Sequence, residues 1–222
     1  MIAKDLLEVD IPTLSEVDNG LKALSLMESV RITDLPVIQG MNYIGLISEN
    51  GVLELNDMES SFESLRMQFI RPHVHKDEHL FEILGLMFRF RISILPVLDD
   101  QHRYIGSIRR DTVLEHFCDL ATVKDPGALL VLEMPITDYS LTEISQIVES
   151  NNAKVLSLFV TKSESNNSIM WVTIKVNVMD VSSIVATFER YTYKIKGVYN
   201  DDSRVNDLYH DRFEEFMKYL DF

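Results

Sequence analysis

The chain has 222 residues, 46% of them apolar and 25% charged, the composition of a globular protein with room for one large domain or two modest ones. A net charge of −14 argues against a nucleic-acid or anionic-membrane surface, because phosphates are held chiefly by Lys and Arg. The single cysteine, Cys118, excludes an internal disulfide, and the first twenty residues carry six charged side chains and no long apolar run, so neither a signal peptide nor a membrane span is expected and the expected setting is the cytoplasm.

The first predicted unit covers residues 1–62. Asp18 is placed as an N-cap ahead of Leu21, Leu24 and Met27, apolar at helical spacing. "ITDLPVI" (Ile32–Ile38) follows as a strand, then the turn "QGMN", then "YIGLI" (Tyr43–Ile47) as a second strand, and a helix from about Val52. A proline removes a backbone donor, so the "LPV" strand is expected at a sheet edge or to begin at Pro36. Gly45, inside the second strand, marks a close approach of backbone or ligand.

Residues 63–122 repeat this order. Pro12 aligns with Pro72 at an offset of sixty that holds through Pro36 and Pro96, with Asp77 as the cap and Leu80, Leu84 and Met87 on the helix. "ISILPVL" (Ile92–Leu98) matches "ITDLPVI"; after one inserted residue in the turn "DDQHR", "YIGSI" (Tyr104–Ile108) and "VLEHF" (Val113–Phe117) match at an offset of sixty-one. A unit of about sixty residues buries too little surface to be stable alone, so the two copies are expected to pack together. The first 70 residues hold 12 acidic and 4 basic side chains, whereas 71–122 hold 8 and 7, so the second copy carries most of the cations available to an anion.

Pro126-Gly127 marks a boundary. Residues 123–200 form the next predicted unit, with a strand at Ala128–Met134, a helix capped by Asp138 or Ser140 and closed by Asn151-Asn152, strands at Lys154–Thr161 and Ser168–Val176, a helix opened by Asp180 or Ser182 and running to about Arg190, and a strand at Tyr193–Tyr199. That is the split βαββαβ order of ferredoxin-like folds. In 201–222, Val205, Leu208, Phe213, Phe216 and Leu220 predict a C-terminal amphipathic helix. The fold class is α/β (α+β).

Helix, "LPV", turn, "YIG" and helix in tandem resembles a pair of CBS domains, the Bateman module, over residues 1 to about 122. The unit that follows is similar to an ACT domain, and the two together resemble the acetoin-utilisation accessory-type CBS–ACT regulators. The resemblance implies a regulatory, ligand-sensing protein and not an enzyme, with two clefts that take an adenine nucleotide (AMP, ADP or ATP), and a homodimer that transmits binding. The family signature in the second strand runs glycine, two apolar residues, Thr or Ser, any two, then Asp. The first copy has Gly45, Leu46, Ile47, Ser48, Glu49, Asn50 and Gly51 there, which keeps the hydroxyl and loses the Asp, with Asn50 beside it as a substitute. The second has Gly106, Ser107, Ile108, Arg109, Arg110, Asp111 and Thr112. By the resemblance the first cleft is lined by Thr13, Leu35, Pro36, Ser48 and Asn50, and the second by His73, Leu95, Pro96, Arg109, Arg110, Asp111 and Thr112. The guanidinium forks of Arg109 and Arg110 suit a phosphate, or else are solvated or pair with Asp99, Asp100 and Asp111.

His73, His75 and His79 are spaced as a metal triad, a cleft wall or surface, and the expectation is no metal. In ACT domains a tight Gly/Pro turn receives an amino acid; here Ile136 to Leu141 has neither residue, and Tyr139 is expected to project into that approach. The alternative function is a degenerate CBS–ACT scaffold that binds no small molecule and works through a protein partner.

Overall fold

The repeat is visible first in its helices. Helix α1 (Gly20–Val30) begins where Asn19, in an extended conformation, accepts the Lys22 N–H, and ends at Arg31 with φ 57°. Helix α3 (Leu80–Phe90) begins at His79, whose ring accepts the Phe81 N–H, and ends at Arg91 with φ 53°. These caps replace the expected Asp18 and Asp77. Asp18 instead closes the preceding turn, accepting the Ser15 N–H at 2.8 Å and the Lys22 ammonium at 2.7 Å, while Asp77 pairs with Lys4 at 3.5 Å. The buried stripes are Gly20, Ala23 and Met27 on α1 and Leu80, Ile83 and Met87 on α3. On α1 the stripe is turned one position from that expected, leaving Leu21 51% exposed.

The computed structural model describes residues 1–65, 69–163 and 166–200, and the amphipathic helix expected over 201–222 lies outside the described residues. The chain divides into two compact units, Met1–Phe117 and Cys118–Phe222. In the first unit each repeat has a three-stranded sheet. In repeat one β1 (Leu14–Ser15) runs parallel to β2 (Asp34–Gln39), which pairs antiparallel with β3 (Asn42–Ser48). Repeat two has β4 (Val74–His75), β5 (Ile94–Leu98) and β6 (Tyr104–Arg109) in the same arrangement. Helices α2 (Glu49–Leu53) and α4 (Arg110–Leu120) follow β3 and β6 without a loop, three residues before the expected starts at Val52 and Val113.

The proline strand is central, not at an edge, and Pro36 lies inside it. The Glu49 N–H donates to the Thr33 carbonyl. Alternation then directs Leu35 and Val37 to β3 and Pro36 to the other side. On that side β1 begins only at Leu14, opposite Val37, so the donor missing at Pro36 has no strand facing it. Pro96 stands in the same relation to β4, which begins opposite Val97.

The two repeats exchange their leading segments. Glu8 pairs with Ser107 of β6 through two backbone bonds (2.9 and 3.1 Å), and the Leu46 N–H of β3 donates to the Ile70 carbonyl at 2.8 Å. Glycine is required where these segments arrive. A Cβ on Gly106 (φ +147°) would lie 2.7 Å from the Glu8 carbonyl oxygen, and one on Gly45 would lie 2.5 Å from the Phe69 Cβ. Equivalent residues meet along an approximate two-fold axis: Asn42 bridges Arg103, and the Thr33 N–H donates to Ser93 Oγ at 3.0 Å. Asp34, 3% exposed, accepts from both the Ser93 N–H and hydroxyl at 2.7 Å. One continuous core, including Leu14, Leu35, Val37, Leu80, Leu95 and Ile108, underlies both repeats. Packing together is thus how two short units obtain a common interior.

The second unit is a four-stranded antiparallel sheet of β7 (Leu129–Pro135), β8 (Val155–Lys162), β9 (Ile169–Val176) and β10 (Lys194–Tyr199), in the order β10-β7-β9-β8. Helices α5 (Leu141–Ser150) and α6 (Ser182–Arg190) supply Ile144, Ile147, Ile184 and Phe188 to its core. This is the expected split arrangement. Ser140 caps α5 by accepting the Glu143 N–H at 3.3 Å. Tyr139 packs against the core instead of projecting from the turn.

Candidate ligand clefts

At the β3–α2 junction of the first repeat lies a cavity of about 330 Å³ lined by Leu46, Ile47, Ser48, Gly51, Glu54, Leu55, Phe69 and Ile70. The strand runs straight into the helix, and Ser48 at the junction lines the cavity while its hydroxyl accepts the Gly51 N–H at 3.1 Å. Of the residues expected in this cleft, Ser48 lines the cavity. Leu35 and Pro36 are buried, Leu35 fully and within the shared core, and neither lines the cavity. Asn50 is exposed and Thr13 half-buried, both away from the cavity wall. Of the lining residues outside that expectation, two bring side chains suited to a ligand. Glu54 follows Gly51 by one helical turn, and brings a carboxylate to the cavity that Gly51, at the signature's Asp position, does not supply. Phe69 offers an apolar wall from the exchanged segment.

The second cleft is arranged differently. Arg109 Nε donates to Glu8 Oε2 at 2.8 Å, and Thr112 Oγ1 donates to Glu8 Oε1 at 2.7 Å. A further Arg109 bond, from a terminal nitrogen to the Val30 carbonyl at 2.9 Å, ties the same guanidinium to the last turn of α1. Arg109 and Thr112 therefore come together on one anion, and that anion is a carboxylate of the chain itself. Arg110 and Asp111 are exposed on the first turn of α4. The pairing considered for these arginines goes to other cations: Asp99 binds Arg103 at 2.6 Å and Asp100 binds Lys76 at 2.5 Å. Leu95, like Leu35, is fully buried in the core, and Pro96 beside it is buried.

The three histidines do not converge. His79 is spent as the α3 cap. His73 Nδ1 bonds the Arg71 carbonyl at 3.0 Å, which fixes the proton on that nitrogen because a carbonyl only accepts. Its ring belongs to an edge-to-face series, Tyr43–His73–His75–His102, with centroids 6.1, 5.8 and 5.1 Å apart. Among the described residues no group of three His, Cys, Asp or Glu side chains is placed to hold a metal ion. Tyr43 donates to the Pro72 carbonyl at 3.0 Å; burial, with Tyr104 adding and Arg71 opposing, holds its phenol above the usual range.

In the second unit a cavity of about 480 Å³ lies between the ends of β7 and β10 and the start of α5. Its carboxylates are matched within the unit. Lys194 at 2.6 Å and Trp171 at 3.2 Å donate to Glu133 and hold its carboxyl below the usual range. Tyr193 donates to Glu143 at 2.5 Å, and burial followed by the Glu143 carboxylate pushes that phenol up.

Residues 70–119 match the family model of the CBS domain. That match falls on the second repeat. The chain is 29% identical over 124 residues to an inosine-5'-monophosphate dehydrogenase of Methanocaldococcus jannaschii, covering 55% of this chain and 25% of that enzyme. It is 29% identical over 117 residues to a homoserine O-acetyltransferase of Methanococcus vannielii, covering 50% and 24%. The chain thus spans about a quarter of the length of the curated relatives it matches. Among solved structures it is similar to a CBS domain pair/ACT domain protein of Thermotoga maritima, at 22% identity and a TM-score of 0.49 over 54% of this chain and 98% of that one. It is also similar to CBSX2 in complex with AMP, at 19% identity and a TM-score of 0.47 over 53% and 96%. No helix among the described residues is long and apolar enough to cross a membrane.

Proposed function

We propose that the chain is a non-catalytic regulatory protein that senses an adenine nucleotide or another phosphorylated metabolite in a CBS cleft, as a homodimer in the cytoplasm. The observation that carries this reading is the open cavity beside Ser48 in the first repeat. At about 330 Å³ it falls within the range of small-molecule sites, roughly 300–1,000 Å³. Phe69, Leu55 and Ile70 suit a base, and the Glu54 carboxylate suits ribose hydroxyls, which donate to it. The second unit, by its strand order, takes the part of an ACT-like domain. A dimer would bury the outer face of α3, where Phe81 is 55% and Phe88 87% exposed.

The test is a thermal-shift screen of AMP, ADP, ATP and S-adenosylmethionine against the wild-type chain and Leu55→Trp, which fills the cavity. Ligand at a hundred times its dissociation constant stabilises the folded state by about 2.7 kcal/mol. The expected result is a nucleotide-specific rise in Tm that Leu55→Trp abolishes. A flat screen returns the scaffold reading, and a shift that survives Leu55→Trp moves the ligand out of this cavity.

A further inference from the structure

We propose that Arg109 and Thr112 form a phosphate site in the second CBS cleft which the chain fills with its own Glu8 carboxylate, so that a phosphorylated ligand enters this cleft by displacing Glu8. Three observations carry this. The first is positional. Glu8 bridges Ser107 as Ile70 bridges Leu46, so Glu8 and Ile70 are equivalent in the two repeats. Arg109 and Thr112 likewise stand where Ser48 and Gly51 stand in the first repeat. In the first repeat Ile70, Ser48 and Gly51 border an open cavity; in the second, Glu8 bonds both Arg109 and Thr112.

The second is chemical. The Arg109 guanidinium at the end of β6 and the Thr112 hydroxyl on the first turn of the eleven-residue α4 converge on two oxygens of one anion. A phosphate monoester offers the same paired oxygens with more charge, and guanidinium recognises it in the same planar fashion. The Arg109 bond to the Val30 carbonyl holds the fork in place whether or not Glu8 is bound. The third concerns release. The backbone of Glu8 is fixed by its two bonds to Ser107, while its side chain is 26% exposed beside an Arg109 side chain 28% exposed. Rotation of the side chain alone clears the donors, with the N-terminal segment still paired to β6.

This rests on the second cleft being a ligand cleft of the same kind as the first, and it is tested on the full chain by calorimetric titration of inorganic phosphate and of AMP. Glu8→Gln keeps the side-chain shape and removes the competing charge. It should tighten phosphate binding by about ten- to hundredfold, the worth of a charge-assisted bond, and Glu8→Gln with Arg109→Ala should lose that gain. Equal phosphate affinity in wild type and Glu8→Gln overturns the proposal, as does a gain that survives Arg109→Ala. Should Glu8→Gln lose its cooperative unfolding transition, Glu8→Asp, one methylene shorter, replaces it with the same expectation at smaller size. Each titration is repeated with Leu55→Trp added. A phosphate gain that persists there belongs to the second cleft, so this proposal and the first-cleft reading stand or fall separately.

Discussion

Replacing Asp34 by alanine should remove about 3–4 kcal/mol from the stability of the first unit. Its carboxylate is 3% exposed and lies where the two repeats meet. One oxygen, Oδ2, accepts from the Ser93 N–H and Ser93 hydroxyl, both at 2.7 Å, and from the Thr33 hydroxyl at 3.0 Å. A hydrogen bond to a charged group contributes about 1.5–3 kcal/mol, and a buried donor left unpaired costs about 1–3 kcal/mol. Truncation removes two bonds that cross between the repeats and strands the Ser93 N–H. Relief of the carboxylate's own desolvation, and rotation of the Ser93 hydroxyl to a new partner, bring the sum down to the figure given. Asp34→Asn keeps an acceptor oxygen and loses the charge, so about 1–2 kcal/mol is expected. Urea unfolding followed by far-ultraviolet circular dichroism measures both variants. Trp171, the single tryptophan and a residue of β9, reports on the second unit by fluorescence. Hydrogen exchange at the Ser93 amide adds a local reading. A loss below about 1 kcal/mol for Asp34→Ala would refute the idea that this carboxylate joins the repeats, since even one lost bond of this type exceeds that.

Gly106→Ala should lower the stability by at least about 2 kcal/mol and expose residues 1–8 to limited proteolysis, because the new Cβ meets the Glu8 carbonyl at 2.7 Å from a backbone at φ +147°. Wild-type stability and an uncleaved N-terminal segment would refute this. At Asp18, burial works upward, but hydrogen bonds from Lys22 and Ser15 outweigh it and leave the carboxyl below its ordinary 3.8. A depressed carboxyl contributes stability that is present above the ordinary value and is lost as pH falls through the folded one. Asp18→Asn should therefore flatten the fall in Tm below about pH 4, and an unchanged acid limb would show that the turn does not depend on this charge.

The tandem architecture was legible because it is written in local periods: helical spacing, short apolar runs, and turns that absorb an inserted residue. Helical spacing and short apolar runs also place each described β-strand and α-helix between residues 128 and 200 to within a residue or two. Caps were less legible. Asp18 and Asn19 are both good cap residues, and the choice falls to the one whose backbone is extended where the helix opens, which composition does not record. The proline strand was misplaced for a related reason: a central strand tolerates proline when its neighbour is only two residues long, and strand length depends on where the exchanged segments lie. Glu54 could have been found, since it follows Gly51 by one turn on the same helix face. Glu8 could not. Its partners Arg109 and Thr112 are 101 and 104 residues away, and only the crossing of the leading segments brings them together.

That crossing also explains why the two clefts differ although the repeats match. Each cleft is closed on one side by a segment belonging to the other repeat, so a substitution in one leading segment alters the opposite cleft. Ile70, arriving at β3, leaves Ser48 facing a cavity. Glu8, arriving at β6, meets an arginine and a threonine where the first repeat has serine and glycine. Without Glu8, the part-buried Arg109 would retain, among the described residues, only the Val30 carbonyl as a partner, and a charge so placed needs an anion. Without Arg109, the Glu8 carboxylate would keep, among the described residues, the Thr112 hydroxyl as its side-chain partner. The two residues therefore make sense only as a pair, each supplying what the other's position lacks. Duplication built two equivalent clefts, and this pair gives the second one a different chemistry while the backbone of both stays the same.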